Sequence, residues 1–371
     1  MKILFLARIY NEALDSFNYG SVDTEKELHN FFESISKFNC NWLDEFYFLL
    51  KKKFQVKIIH PNLFKNHFTK NINEKSYVRN FLKDFEPDII ISGSEMNNFI
   101  ELIKLNINKK IPIVLWKSSR VNENNFKILK NFYTHIITDN IYLKERFSSL
   151  GIPSFFLLPS VPTSILSNNI EFIKRKNIIF FSGSLGSEFI KRKKIINYLI
   201  KKNINLEIRS RDLNNDYKLV NFINNFFNIV VNKNITINLF KNFFFNNIKK
   251  INQKPFFGKE LFDYMKTFRF ILNFHSDFDK NRAVNYRVFE SLASGSLLFT
   301  DENLAQSLLF KDKQHLVCYK DKEDLINKIS YYNNNLSEAN QIALNGHNLI
   351  KTKHTCDVRI NDFLKILEKI S

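Results

Sequence analysis

Cysteine is scarce and its placement has no pattern. Cys40, Cys318 and Cys356 are odd in number and scattered, without metal-ligand spacing. That excludes a disulfide framework and a cysteine-based metal site, and it fits a reducing cytoplasm. Long apolar runs are missing as well: none approaches the roughly 18 residues of a membrane span, so any membrane contact is expected to be peripheral. The short run from Met1 to Ala7 is broken by Arg8 too early for a signal h-region. No internal repeat of fixed period emerges. Acidic residues are outnumbered, 37 Asp and Glu against 55 Lys and Arg, for a net charge of +18. Such a surplus implies acidic partners, whether nucleic acid, an anionic membrane surface or phosphorylated small molecules. Lys, Asn, Ile and Phe are over-used in strands and loops alike, so a general compositional drift accounts for the charge equally well.

What is present suffices for two ordinary domains. The chain has 371 residues, of which 44% are hydrophobic and 15% aromatic, so it is neither disordered nor fibrous. Short apolar runs alternate with helical patterns, which argues for βαβ units and parallel sheets. In the first half the expected strands are Lys2 to Ala7, Val56 to His60, Asp88 to Ser92, Ile111 to Trp116, His135 to Thr138 and Phe155 to Leu158. A polar loop with Tyr19, Gly20 and Ser21 follows the first strand. Pro153, Pro159 and Pro162 bracket the last, and residues 161–176 read as a linker. A second series begins with Asn177 to Phe181 and continues through Asn205 to Arg209, Phe270 to Phe274, Ser296 to Thr300 and Leu316 to Tyr319. Helices are expected at Phe257 to Lys266, from about Ala283, and over Lys322 to Ser371 with a polar break at His354 and Thr355. Asn214 to Lys254, rich in Asn and Phe, takes no clear assignment.

The densest chemistry lies between Phe268 and Asp301. A strand, a polar turn (His275, Ser276, Asp277), a helix and a second strand make the plan of a phosphate-side ligand site in an open parallel sheet. On the helix, Val284, Val288 and Leu292 recur at four-residue spacing as packing positions. Asn285, Arg287, Glu290 and Ser291 are the polar remainder. A carboxylate such as Glu290 can accept from a ribose diol, and Arg287 can hold a phosphate by charge-assisted hydrogen bonds. The same spacing also describes a solvated i,i+3 ion pair. Gly183, Ser184 and Gly186 lie between a strand and a basic helix bearing Arg192 and Lys193, where backbone amides can approach a phosphate. The full dinucleotide spacing is absent, so a tight turn and a solvated basic face explain these residues too. His275 closes a strand at the carboxyl edge, as a structural histidine or as a ligand group. In the first half the matching edge positions are Tyr19 to Ser21, Ser94, Glu95 and Lys117 to Arg120. Glu95 is the carboxylate nominated to face a cleft, with a first-turn helix acid as the plainer alternative.

The segments LNFHSD and NYRVFESLASGSLLFTDE resemble the C-terminal donor domain of GT-B glycosyltransferases, most closely the spore-maturation (CgeB-like) group of the glycosyl transferase group 1 type. The closing residues Gly346, His354, Thr355 and Arg359 resemble the end of that group, and FFSGSLGSEFIKRKKIINYL its glycine turn and basic helix. Asn41, Trp42 and the strand after Pro87 are similar to attached acceptor domains. The resemblance implies an α/β protein with two Rossmann-like parallel-sheet domains facing each other across a cleft. They would be an acceptor domain over 1–160 and a donor domain over 177–354, with 355–371 as a helix returning to the first domain. It implies a metal-independent hexosyltransferase that moves a sugar from a nucleotide diphosphate sugar to an acceptor, with no bound cofactor. Donor-binding residues would be Gly183, Ser184, Arg192, Asn285, Arg287, Glu290, Ser294 and Gly295; candidate catalytic residues are Glu95 and His275. Glu290 would stand as the second member of a Glu-x₇-Glu pair found in many retaining enzymes, yet the first position is Arg282. The expected setting is cytoplasmic, peripheral at the inner face of the membrane, in cell-surface polysaccharide, glycolipid or glycoprotein synthesis on a glycan, lipid-linked or protein acceptor. A nucleotide-sugar epimerase of the same shape and a non-catalytic basic anion- or nucleic-acid-binding protein are the alternatives. Nucleic acid is not expected, because the aromatics fall at core-like spacings and no binding module is recognised.

Overall fold

Parallel strands covered by helices on both faces must be apolar along their length, and the strands of this chain read that way. The computed structural model describes residues 1–7, 24–39, 42–64, 72–107, 109–117, 121, 123–166, 170–186, 189–210, 246–275 and 282–370. In its first half β1 (Lys2–Leu6), β2 (Gln55–Ile59), β3 (Ile89–Ser92), β4 (Ile113–Trp116), β5 (His135–Thr138) and β6 (Ser154–Phe156) form a parallel sheet of order β2-β1-β3-β4-β5-β6. In the second half β7 (Lys176–Ser182), β8 (Leu206–Arg209), β9 (Asn252–Gln253), β10 (Phe268–Asn273), β11 (Leu297–Asp301) and β12 (Val317–Tyr319) form another, of order β12-β11-β10-β7-β8-β9. Starting at β7, the chain lays two strands on one side and then three on the other. The order therefore reverses between β7 and β10. In an open α/β sheet that reversal opens a crevice beyond the strand carboxyl ends, where ligands bind.

Expected strands agree with observed ones to within a few residues, and the differences have local causes. The helix expected from Ala283 spans Tyr286–Ala293 instead, because the Asn285 side chain accepts from the Arg287 amide at 3.2 Å and fixes the N-cap there. Within residues 161–176, expected as a linker, Thr163–Ile165 and Phe172–Lys174 are short 3₁₀ turns. The helical tail divides at Asn335 as well as at His354, giving Lys322–Asn334, Leu336–Lys353 and Cys356–Ile370. The loop of Tyr19 to Ser21, most of Lys117 to Arg120, Cys40, Asn41 and most of the unassigned Asn214 to Lys254 stretch lie outside the described residues.

The last helix belongs to the core of the first sheet. Phe363 is fully buried, its ring centroid 4.9 Å from Trp116 and 5.3 Å from Phe46. Two chain crossings sit side by side between the halves. The Val161 amide donates to the His354 carbonyl at 2.9 Å, and the Cys356 amide donates to the Val161 carbonyl at 2.9 Å. Arg359 secures the second crossing by donating from Nη2 to His354 Nδ1 and the Lys353 carbonyl, each at 3.1 Å. Among the described residues, no helix is long and apolar enough to cross a membrane.

Candidate functional site

The crevice at the β7/β10 reversal is built by hydrogen bonds that tie three loops together. After β7, Gly183 turns the chain where a Cβ would lie 3.2 Å from the Phe181 ring. The helix Ile190–Lys201 follows, and Arg192 reaches back from its first turn. Its guanidinium donates to the Ser184 carbonyl at 3.2 Å and to the Phe274 carbonyl at 3.1 Å, while lying 4.1 Å from the centroid of the Phe189 ring. Asn285 donates to the same Phe274 carbonyl at 3.2 Å and to Asn273 Oδ1 at 3.0 Å. One backbone oxygen just past β10 therefore joins the glycine turn, the basic helix and the cap of the Tyr286–Ala293 helix. Gly183, Ser184, Arg192, Asn285 and His275 are thus brought together.

Beneath them runs a buried polar network. Asn273 donates to Thr300 Oγ1 at 3.0 Å, and the Tyr319 hydroxyl donates to the Asn273 carbonyl at 3.1 Å. Asp301, at the end of β11, accepts from the His275 amide at 2.7 Å and holds His275 Nδ1 at 3.0 Å. Since a carboxylate only accepts, Nδ1 carries the proton. Burial pushes the Asp301 carboxyl up, but the hydrogen bonds and charge of His275, with Lys191, outweigh it and leave the group below the ordinary carboxylate range. Lys191 Nζ lies 3.6 Å from Asp301. Asn273, Thr300, Asp301 and Tyr319 were not nominated from the sequence. Their roles arise between neighbouring strands, and the one available signal was their place at the ends of apolar runs.

Arg287 and Glu290 do form the i,i+3 pair that their spacing allows, at 2.6 Å, but it is not a solvated one. Their side chains are 19% and 11% exposed, and burial raises the Glu290 carboxyl above its ordinary value with Arg287 opposing.

Ser294 and Gly295 are not brought to this group of residues. Ser294 Oγ donates to the Ser291 carbonyl at 2.7 Å and to Ser296 Oγ at 3.0 Å, and Ser296 Oγ donates in turn to the Phe268 carbonyl at 2.8 Å. Phe268 opens β10 whereas Phe274 follows its end, so about 3.3 Å per residue separates the two along the strand. Gly295 is a turn glycine at φ +72°, where a Cβ would sit 2.6 Å from Ile170 Cδ1.

On the first sheet, Glu95 lies past the end of β3 and pairs at 2.7 Å with Lys117, just past the end of β4. Beside it, Ser94 Oγ and Asn97 Oδ1 are buried without hydrogen-bond partners. The halves also meet through Arg282, which pairs with Glu145 at 2.7 Å and whose carbonyl accepts from the Ile141 amide at 3.3 Å. Among the described residues, no cluster of three or more His, Cys, Asp and Glu is placed to hold a metal ion.

Residues 228–365 match the model of a family described as glycosyl transferase-like, a span that holds β10 to β12, Arg287, Glu290 and Asp301. Among solved structures, HepE of Anabaena, in complex with UDP and glucose, aligns over 100% of both chains at 10% identity with a TM-score of 0.58. A glycosyltransferase from Rickettsia africae covers 100% of this chain and 98% of its own at 12% identity and TM-score 0.54. Sucrose-phosphate synthase of Thermosynechococcus elongatus covers 100% and 99% at 8% identity and TM-score 0.59. No curated protein matches. The fold is GT-B, two parallel-sheet Rossmann-like halves.

Proposed function

We propose that the protein is a metal-independent hexosyltransferase that draws on a nucleotide diphosphate sugar and serves cell-surface polysaccharide, glycolipid or glycoprotein synthesis. The observation that carries the reading is the junction at the Phe274 carbonyl. It sets an arginine, the first turn of a 12-residue helix and a capped helix N-terminus around the crevice where the strand order reverses. In this reading Glu290 accepts from the ribose hydroxyls. Arg287 and Arg192 face the diphosphate, and with the helix N-terminus they stabilise the charge that develops as the sugar–oxygen bond breaks. On the acceptor side, Glu95, paired with Lys117 at 2.7 Å, takes the proton of the attacking hydroxyl. The residues 1–160, 177–354 and 355–371 serve as acceptor domain, donor domain and returning helix. His354 and Thr355 both bond to Arg359, the first at Nη2 and the second at the backbone amide, and this cluster supports a place in the CgeB-like group. The basic surface suits a peripheral seat on an anionic cytoplasmic membrane face.

A thermal-shift panel of UDP-, GDP- and ADP-sugars tests the donor half of the reading. UDP-glucose comes first, because HepE is described in complex with it. At 100 times Kd a ligand stabilises by about 2.7 kcal/mol, so at least one donor should raise the melting temperature, and Glu290→Ala should abolish the rise. Silence across the panel would sink the proposal.

A further inference from the structure

The loop that leads into the crevice is fastened at both ends, and one fastening lies on the other half of the chain. The helix Ile141–Ser149 follows β5 and is anchored in the first core by Leu143 and Phe147. A helix leaves its first amides without intrahelical acceptors. Here the Asn140 side chain takes the amide of Leu143 at 3.2 Å, and the Arg282 carbonyl takes that of Ile141 at 3.3 Å. The Arg282 guanidinium reaches Glu145 at 2.7 Å. Glu145 lies four residues after Ile141 and so on the same face of the helix. One residue of the second half thus holds one turn of the first half at two points, which fixes orientation as well as separation. From there the chain enters the crevice. Ala283 and Val284 are buried, Val284 in one core with Val288 and Phe289. Asn285, three residues after Arg282 and so at most about 11 Å of extended backbone away, donates to the Phe274 carbonyl and caps the helix that carries Arg287 and Glu290. A displacement at Arg282 therefore reaches that cap through a short, buried segment.

We propose that Arg282 is a positioning residue for donor binding: its two-point hold on the first half keeps the 282–285 loop, and with it the Asn285 cap, in the geometry that receives the nucleotide sugar. The inference rests on the donor-binding reading above and adds that a crevice built from the second half needs the first half to hold it in shape. A loop already held in its bound geometry spares the ligand the cost of ordering it. By linkage, a bound donor strengthens the contact between the halves by the same factor. An exposed ion pair of this kind accounts for up to about 5-fold in affinity, and placing like charges in its stead adds repulsion to that loss.

The test is calorimetric titration of the full chain with UDP-glucose, GDP-mannose and ADP-glucose, on wild type, Arg282→Glu, Glu145→Arg and the variant that carries both changes. Each single reversal should weaken the donor that binds by about 3- to 10-fold. Glu145→Arg is the sharper of the two: added positive charge would by itself attract an anionic donor, so weaker binding there reports the lost contact and not the net charge. The double variant restores opposite charges across the contact and should return to within about 2-fold of wild type, a coupling that an ion pair without a role in donor binding would not show. Ligand-free melting temperatures should stay within about 4 °C of wild type, and a larger fall would assign the pair to the fold and overturn the inference. If a donor binds and both reversals match wild type, or if the double variant binds as weakly as the single ones, this inference is overturned while the donor reading stands. If no donor binds, both fall.

Discussion

Replacing Gly346 with alanine sets helix propensity against packing, and the structure decides which wins. Gly346 lies inside the helix Leu336–Lys353, where alanine would ordinarily gain about 1 kcal/mol. A Cβ at this position, however, would penetrate the carbonyl oxygen of His315 and come within 2.8 Å of Leu292 Cδ2. Ordinary Cβ contacts begin near 3.4 Å. The nearer obstacle is backbone, which cannot rotate away, so the helix itself must move. Overpacking of this kind costs about 1–3 kcal/mol, and with an immobile obstacle the upper part of that range applies. The net expectation is a loss of about 1–2 kcal/mol. For a cooperative unit of 150–250 residues that lowers the melting temperature by roughly 2 to 8 °C. The displacement also has a functional arm. Leu292 shares its helix with Glu290, two residues earlier, so pushing Leu292 tilts the helix that presents the buried carboxylate. Circular dichroism melting, followed by titration with the donor that stabilises wild type, reads both arms, and Gly346→Val should be worse on each. An alanine variant as stable as wild type would refute the reasoning, because propensity would then have outweighed the contact.

Phe363→Ala should destabilise by about 3–5 kcal/mol, since it empties a fully buried site between Phe46 and Trp116. A chemical-denaturation midpoint monitored by Trp116 fluorescence checks it, and a loss below about 1 kcal/mol would mean that the last helix is not part of the first core. Acid should weaken the fold well above the carboxylate range. Burial lowers His60 to about 4, and burial with the charges of Arg359 and Lys353 lowers His354 to about 4. Both fall below the ordinary histidine value of about 6.5, so the unfolded chain binds the extra protons. The stability they contribute is complete above about 6.5 and is lost progressively as pH falls toward about 4. By pH 5 the loss is about 2 kcal/mol per histidine, visible as a lower urea midpoint than at pH 7.5, and His354→Gln should remove about half of the pH effect. Equal midpoints at the two pH values would contradict the assignment of both rings as buried and neutral.

The alternation of strands and helices is legible in the sequence because a parallel sheet forces its strands to be apolar throughout. KILFL and FRFILN announce themselves without any partner in view. Boundaries are less legible where two signals compete. Val284 continues the four-residue spacing of Val288 and Leu292 and so imitates a helical position, but it is buried in the loop that precedes the cap at Asn285. Nothing in the sequence marks the division at Asn335 with proline or glycine. Within the site, spacing gave the Arg287 and Glu290 pair but not its burial, which depends on what covers the helix. Ser294 caps the C-terminal end of the same helix and Gly295 follows it, away from the N-cap at Asn285. Asp301 is not legible because its partner, His275, lies 26 residues earlier, just past the end of the neighbouring strand β10.

Arg282 shows how far a local pattern can be trusted. A Glu-x₇-Glu reading puts a carboxylate at that position, where it would join Glu290 in the donor crevice. The arginine instead faces the first half, held by Glu145 on the helix Ile141–Ser149, while its carbonyl takes the first amide of the same helix. Its charge serves a contact between the halves, and because both partners are substantially exposed that contact contributes little to stability. Among the described residues, two buried carboxylates, Glu290 and Asp301, lie on the elements around the crevice. Glu290 is kept raised by burial against Arg287, and Asp301 is kept ionised by His275 and Lys191. The two buried carboxylates are thus pushed in opposite directions by their surroundings, Glu290 by burial beside Arg287 and Asp301 by its hydrogen bonds with His275.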